Sequence, residues 1–527
     1  MLWVRPLFVA VAVVTQVVIA AAFVLGLEWM LWLQVIALPL TVLGARDMVQ
    51  DQHAILRNFP LIGHFRYLFE EVRPEIQQYF IESNTDGKPF SREQRSVVYQ
   101  RAKQQLDTVP FGTQLEVYAQ GYEWIAHSLA PKHPEGEPPR VTIGGADCSQ
   151  PYSSSLLNIS AMSYGSLSRE AITALNLGAK QGGFAHNTGE GGISPYHLQG
   201  GDLIWQVGTG YFGARAADGG FDPGAYAENA RRPEVKMVEL KLSQGAKPGH
   251  GGILPARKVT QEISEIRGVP MGQDVLSPPN HRAFDTPIGL LEFVAQLREG
   301  SGGKPVGVKL CVGQPWELAG LCKAMVETGI TPDYLAIDGG EGGTGAAPVE
   351  FSNSMGMPLL DGLALTHSML VGYGLRDKLK VVASGKVATG FDVAVRLAAG
   401  ADLCAAARSM MFALGCIQAL RCNNNECPAG IATQDPRLTR GLVIEQKAPR
   451  VARYHHETVL SFCELLGAAG MTDPSQLEPD HIHRRVSATQ VRTYAEIYDY
   501  VEPWSLLKPP YPPGWARTLA RAHADRW

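Results

Sequence analysis

The sequence predicts an α/β protein centred on a closed parallel barrel and preceded by an apolar helical hairpin. Three observations predict this. From Leu156 to about Gln434, short apolar runs alternate with helical stretches, the rhythm of repeated strand–helix units. Glycine, the compositional outlier at 56 residues, clusters where those runs end, as loops that approach a ligand closely require. Ahead of this region lie two uncharged stretches separated by a single glutamate. An open doubly wound sheet is the alternative, because alternation alone does not show closure.

The totals set bounds. Hydrophobic residues make up 45% of the chain, enough for a large core. A net charge of −4 gives no reason to expect a nucleic-acid partner. Eight cysteines in 527 residues do not make a disulfide scaffold, so reduced thiols are expected.

Taken in order, Pro6 to Leu27 and Trp29 to Ala45 are free of charge, with Glu28 between them. As helices they would extend roughly 33 Å and roughly 26 Å, long enough to cross a bilayer core. Trp29 and Trp32 suit an interface, while Arg5 precedes and Arg46, Arg57 and Arg66 follow. The positive-inside tendency then puts both ends in the cytoplasm, with the chain in the cell (inner) membrane. A single span, a cleaved signal peptide or a buried core hairpin are the other readings. Residues 1–46 are thus read as the hairpin and 47–150 as a largely helical linker region, with Arg92 to Leu106 its clearest helix. Pro131 to Arg140 reads as a linker. Residues 151–435 form the barrel region and 436–527 a C-terminal helical extension.

Within the barrel region, Leu156–Ser160, Val306–Cys311, Tyr334–Ile337, Lys380–Ala383 and Asp402–Ala405 read as strands. Ser168 is the N-cap of a following helix. Trp316–Thr328, Gly362–Tyr373 and Phe391–Ala399 read as later helices. The loops Ala383-Ser-Gly-Lys-Val-Ala-Thr-Gly390 and Ala405-Ala-Ala-Arg-Ser409 each join a strand to a helix. In barrels such loops after the last two strands hold phosphate, Gly385 allowing approach and Arg408 supplying charge. The bland alternative is two ordinary turns. Asp338-Gly-Gly-Glu-Gly-Gly-Thr-Gly-Ala-Ala347 suggests backbone amides, those of Gly339 and Gly340 included, facing a flat ligand or an anion.

Thr188-Gly-Glu-Gly-Gly192 places Glu190 as either a solvated loop carboxylate or a site acid or base. Lys241-Leu-Ser-Gln-Gly-Ala-Lys-Pro-Gly-His-Gly-Gly252 puts Lys241 at a strand end. Unless it reaches water, Lys241 needs an anion there. Cys416, Cys422 and Cys427, with five and then four residues between them and Pro428 after the last, offer the thiolates an iron–sulfur cluster needs. Zinc is the weaker choice, since a structural site wants four ligands and the loop has no histidine. His455 and His456, well beyond the loop, read as surface or helix residues.

Met162-Ser-Tyr-Gly-Ser-Leu-Ser168, Thr188–Gly192, Gln244-Gly-Ala-Lys-Pro-Gly-His-Gly-Gly252, Gly342-Gly-Thr-Gly-Ala346 and Cys427-Pro-Ala-Gly-Ile-Ala-Thr-Gln434 occur in that order. Together they resemble the FMN-binding domain of glutamate synthase large subunits, over just more than half the chain. The resemblance implies a (β/α)8 TIM barrel, FMN, a 3Fe–4S cluster and reduction of 2-iminoglutarate to L-glutamate. It implies that Cys416, Cys422 and Cys427 ligate the cluster. It implies that Met162, Ser163, Lys241, Gly339, Gly340, Gly385, Ala407 and Arg408 surround FMN. Glu190, Lys241, Gln244 and Lys247 would then serve catalysis, facing 2-oxoglutarate or the imine.

The chain departs from that family in several ways. It is expected to lack the glutaminase domain and a separate nicotinamide domain. Ammonia, a methylated amine or an amidotransferase subunit would supply nitrogen, and ferredoxin or another donor protein the electrons. His250 stands where the family commonly has Glu, and Ser384-Gly385 replaces a Gly-Gly pair. These departures leave two further readings: a different imine or methylated amine as substrate, or a non-catalytic membrane electron-relay subunit. A barrel of the inosine-monophosphate dehydrogenase type would need a catalytic loop cysteine, and Cys311 lies within a strand.

Overall fold

The computed structural model describes residues 3–133 and 136–527. Pro134 and Glu135, part of the expected linker, lie outside the described residues, as do Met1 and Leu2. The chain divides into two compact units, Met1–Gly87 and Lys88–Trp527. The division falls inside the region read as one linker of 47–150. Residues from Lys88 onward belong with the barrel.

In the first unit, α1 (Val4–Val24) and α2 (Gln34–Val49) fold against each other. The Gln16 side-chain amide donates to Thr41 Oγ1 at 3.3 Å and receives Gln34 Nε2 at 2.8 Å. These contacts pair polar groups along two predominantly apolar helices. Both stretches, Val4–Val24 and Glu28–Val49, are long and apolar enough to cross a membrane by length and composition.

In the second unit, α3 (Arg92–Lys103) begins at a capping box formed by Ser91 and Gln94. It ends where Gln104 turns left-handed, short of the expected Leu106. Between Lys103 and Lys132 there is no helix among the described residues, only the short strand Glu123–Ile125. Pro110, Gly112 and Gly121 break any apolar periodicity there, so the helical reading fails for this stretch.

Eight parallel strands close the barrel in sequence order. They are β1 (Leu157–Ile159), β2 (His186–Asn187), β3 (Leu203–Val207), β4 (Val235–Lys241), β5 (Val306–Leu310), β6 (Tyr334–Asp338), β7 (Lys380–Ser384) and β8 (Leu403–Ala406). The register of β8 against β1, Cys404 opposite Leu157, closes the ring. Closure settles the choice against an open sheet. Every expected strand and helix of this region recurs within a few residues of its expected ends. Around the barrel run α4 (Arg169–Gly182), α5 (Pro223–Ala230), α6 (Pro287–Gly300), α7 (Pro315–Thr328), α8 (Leu359–Gly372), α9 (Gly390–Ala398) and α10 (Arg408–Leu414). Ser168 caps α4 as expected, its hydroxyl accepting from the Ala171 amide.

One end of the barrel is plugged. The antiparallel pair Arg140–Ile143 and Tyr152–Ser155 places Ile143 and Tyr152 against Ala185, Ile204, Met237, Val382 and Leu403 inside the ring. With that end filled by apolar side chains, polar chemistry is left to the opposite, C-terminal face.

After Gly430 a single long helix, α11 (Ile444–Ala468), packs on α3, α4, α9 and α10. The rest of the extension is short strands, turns and helices of at most six residues, Pro436–Thr439, Tyr494–Ile497 and Ala516–Arg521 among them. Ile482–Arg485 pairs with Glu123–Ile125 and with Val491–Thr493 in a small antiparallel sheet. His456 is exposed on α11. His455 is not a surface residue: it is buried, its Nε2 lies 2.8 Å from Ser155 Oγ, and its ring stacks on Phe184.

Candidate active site

A cavity of about 290 Å³ opens at the C-terminal ends of the strands. Each loop brings one part. The loop after β1 supplies Met162 and Ser163, and the loop after β2 supplies Glu190. Lys241 ends β4, and the following loop carries Gln244 and Lys247. The loops after β7 and β8 add Gly385, Ala407 and Arg408.

At the centre is a buried ion pair. Lys241 Nζ lies 2.9 Å from Glu190 Oε1, with the two side chains 8% and 18% exposed. Burial pushes the Glu190 carboxyl up, but Lys241, and then Lys247 and Arg267, hold it below its ordinary value. The carboxylate is therefore ionised. Space for it is made by omission: a Cβ on Gly208 would stand 2.7 Å from Glu190 Oε2, and one on Gly252 2.5 Å from Oε1. Lys247 is also buried. Burial, then the Lys241 charge, lower its ammonium to about 8, with Glu190 pulling the other way. Its Nζ donates to the Ala346 carbonyl at 2.9 Å, and Gln244 Nε2 donates to Thr344 Oγ1 at 3.2 Å. The Gly342–Ala346 loop is thus fastened over the two substrate-facing candidates.

Gly339 and Gly340 do not line the cavity. Their amides are engaged, Gly339 with the Ser384 carbonyl at 3.0 Å and Gly340 with that of Met357 at 2.8 Å. A Cβ on Gly245 would collide with the Gly339 carbonyl, so these glycines serve close packing of the loops after β4 and β6. The cavity is lined instead by the later part of the same loop, Gly342 to Ala346.

The structure adds residues that the sequence reading passed over. Arg267 ends the short helix Gln261–Arg267 and donates to Ser163 Oγ at 3.3 Å and the Tyr164 carbonyl at 2.9 Å. Among the described residues its Nε has no hydrogen-bond partner, and burial lowers the guanidinium to about 10. Nothing in the local sequence marks it. Lys309, within the apolar strand β5, pairs with Asp338 at 3.7 Å. Like Lys241, it is a lysine on a buried strand that needs an anion, so it was legible in the sequence. His281 Nε2 sits 2.8 Å from the Lys241 carbonyl and fixes that strand end. Phe90 lies under two cations at the other end of the cavity, 4.9 Å from the Arg408 guanidinium carbon and 5.9 Å from Lys386 Nζ.

The three cysteines share an irregular loop between α10 and Pro436. Gln418, Leu420 and Asn425 all adopt positive φ within it, so the chain winds tightly there. Cys427 is buried, Cys416 and Cys422 half-buried, and Cys422 lines the cavity. Burial raises the Cys416 thiol to about 12 and also raises Cys422, each with a contribution from the neighbouring sulfurs. Among the described residues, no three His, Cys, Asp or Glu groups converge on a point that one metal ion would fill. Lys258 braces the loop: its buried Nζ donates to the carbonyls of Ser166, Cys422 and Ala432, all within 3.0 Å.

Known proteins match this arrangement at the level of sequence. Residues 140–472 match the model for the conserved region in glutamate synthase. The chain belongs to the glutamate synthase family. The glutamate synthase large subunit-like protein YerD of Bacillus subtilis is 37% identical, over 92% of this chain and 99% of its own. An archaeal-type glutamate synthase [NADPH] of Thermotoga maritima is also 37% identical, over 59% of this chain and 58% of its own. The glutamate synthase [NADPH] large chain of B. subtilis is 35% identical over 53% of this chain, but only 18% of its own length is matched. The chain thus spans nearly all of the first relative and little more than half, or less, of the others. Among solved structures, an L230A flavocytochrome b2 aligns with 86% of the chain and 96% of its own at a TM-score of 0.42 and 12% identity, too loosely to bear on chemistry.

Proposed function

We propose that the chain is an FMN- and iron–sulfur-dependent oxidoreductase of the glutamate synthase family that reduces 2-iminoglutarate, formed from 2-oxoglutarate and ammonia, to L-glutamate. The observation that carries this reading is one cavity that gathers the Glu190–Lys241 pair, Gln244, Lys247 and Cys422, with Gly385 and Arg408 at another part of its wall.

The residues fit a flavin mononucleotide. Gly385 and the start of α10 offer backbone and charge for a phosphate. Met162, Ser163 and Arg267 line the wall. When bound, FMN supplies hydride chemistry, and a cation such as Lys241 near the ring favours its anionic reduced form. Cys416, Cys422 and Cys427 would hold a 3Fe–4S cluster, which supplies single-electron transfer.

The chain's own groups account for the rest. Lys247 and Arg267 are cations suited to the two carboxylates of a keto acid. Glu190, kept ionised, accepts a proton as ammonia adds to the ketone and returns it as water departs. Gln244 hydrogen-bonds the substrate and holds it in register. The apolar hairpin would anchor the chain in the cell (inner) membrane with the barrel in the cytoplasm. Ferredoxin or another donor protein would deliver electrons, and free ammonia or an amidotransferase subunit the nitrogen.

An anaerobic absorbance spectrum of detergent-purified protein, followed by 2-oxoglutarate and ammonium added to the reduced form, tests the proposal. Flavin and iron–sulfur bands with reoxidation support it. Bands without reoxidation move the substrate to another imine or amine, and a protein that takes up neither group ends the redox reading.

A further inference from the structure

The segment after the hairpin carries a feature the proposed chemistry does not use. The helix Gly63–Ile76 continues through a wider π-type turn, Gln77–Ile81. Apolar residues recur at Phe65, Leu68, Phe69, Val72 and Ile76, spacings of three and four that make one stripe, and Tyr79 and Phe80 extend it. Arg66, Glu70, Arg73 and Gln77 occupy another face. The stripe is not covered: Phe69 is 62% and Phe80 84% exposed. A run of large apolar side chains left in water marks an interaction surface.

Its position narrows what the partner is. Asp47, in the last turn of α2, is buried. Its carboxylate accepts the Leu61 amide at 3.0 Å and lies 2.9 Å from His64 Nε2. The amphipathic helix therefore starts within one side chain's reach of the end of α2. If α2 crosses a bilayer, that point is at the headgroup level. A helix leaving it with one aromatic, apolar face and one charged face has the composition of a segment lying in the interface plane. Its face mixes acidic and basic groups, so apolar burial rather than attraction to anionic lipid is the driving force.

We propose that residues 63–81 form an interfacial helix lying in the surface of the same bilayer the hairpin crosses. Phe65, Leu68, Phe69, Ile76 and Phe80 sit among the upper acyl chains, and Arg66 and Arg73 lie at the phosphates. This rests on α1 and α2 being membrane-spanning. It gives the N-terminal unit a second attachment to the bilayer in addition to the hairpin.

The full chain is reconstituted in phosphatidylcholine vesicles that carry photoreactive diazirine lipids, with the diazirine either near the glycerol or at the acyl-chain end. Labelled peptides are then mapped. Label on 63–81 from the shallow probe, exceeding that from the deep probe by about fivefold, with both probes labelling 4–49, supports the proposal. A Phe69→Glu, Phe80→Glu variant that loses the 63–81 label while keeping that on 4–49 adds to it. Label on 4–49 alone overturns the interfacial helix but leaves the hairpin standing; the stripe is then covered by protein, a second copy being the first to check by sizing. No label on either segment overturns both.

Discussion

Glu190 and Lys241 depend on each other, because Lys241 is buried, Glu190 is largely so, and they pair at 2.9 Å. Lys241→Ala removes the direct ion-pair partner of a largely buried carboxylate, leaving Lys247 and Arg267 as its remaining cations, and is expected to cost up to about 3 kcal/mol of stability, read by thermal or denaturant unfolding. Glu190→Gln keeps the shape and removes the proton acceptor. Turnover should fall by about 10²–10⁴-fold with flavin content unchanged, measured as reoxidation of reduced enzyme. Lys247 gives the pH dependence. Its ammonium is lowered to about 8, so it is charged below that pH and neutral above it. If it binds a substrate carboxylate, kcat/KM for 2-oxoglutarate falls as pH rises through about 8, the free-enzyme value that this ratio reports. Lys247→Gln should lower kcat/KM and abolish that limb; a limb that persists in the variant assigns it to another group.

At the scale of elements, the cysteine loop and the helix layer make separate predictions. Cys422→Ser should lower the iron-to-flavin ratio of anaerobically purified protein while leaving flavin bound, because the Gly385 and Arg408 end of the cavity is built by other loops. Loss of both together would show that the loop holds the flavin as well. In the helix layer, α4 and α11 approach closely at Gly178. A Cβ there would sit 2.7 Å from Val451 Cβ and 2.9 Å from the Ala448 carbonyl. Gly178→Val should therefore destabilise by about 1–3 kcal/mol through overpacking, without altering the cavity. Thermal unfolding with a flavin titration separates the two effects.

The whole molecule holds several histidines away from water. Burial alone lowers His186 to about 3; burial, chiefly, lowers His455 to about 3 and His281 to about 4. Each folded value lies below the ordinary 6.5. Between those limits the unfolded chain binds protons the folded chain does not, so stability drops as pH falls below about 6.5. The unfolding midpoint should decline from pH 7 to pH 5, and a midpoint constant over that range would mean these rings are not buried neutral in solution.

Much of this molecule is legible in local pattern. The alternation of apolar runs and helices set the repeated strand–helix units, since each carries its own pattern of apolar, capping and turn residues, while closure into a barrel came from β8 meeting β1. The ordered motifs set the family and picked out Glu190, Lys241, Gln244, Lys247, Gly385 and Arg408, all of which line one cavity. The rest follows from long-range packing. Arg267 and Lys258 come from segments without a motif, and barrel closure alone carries them to Ser163 and to the cysteine loop. Gly339 and Gly340 read like ligand-facing amides, yet packing of the loops after β4 and β6 had already engaged them. The exposed stripe of 63–81 is periodic in sequence, but periodicity looks the same whether a stripe is buried or bare. Local pattern records what each segment can form; which surfaces meet is fixed by contacts between residues far apart in the chain.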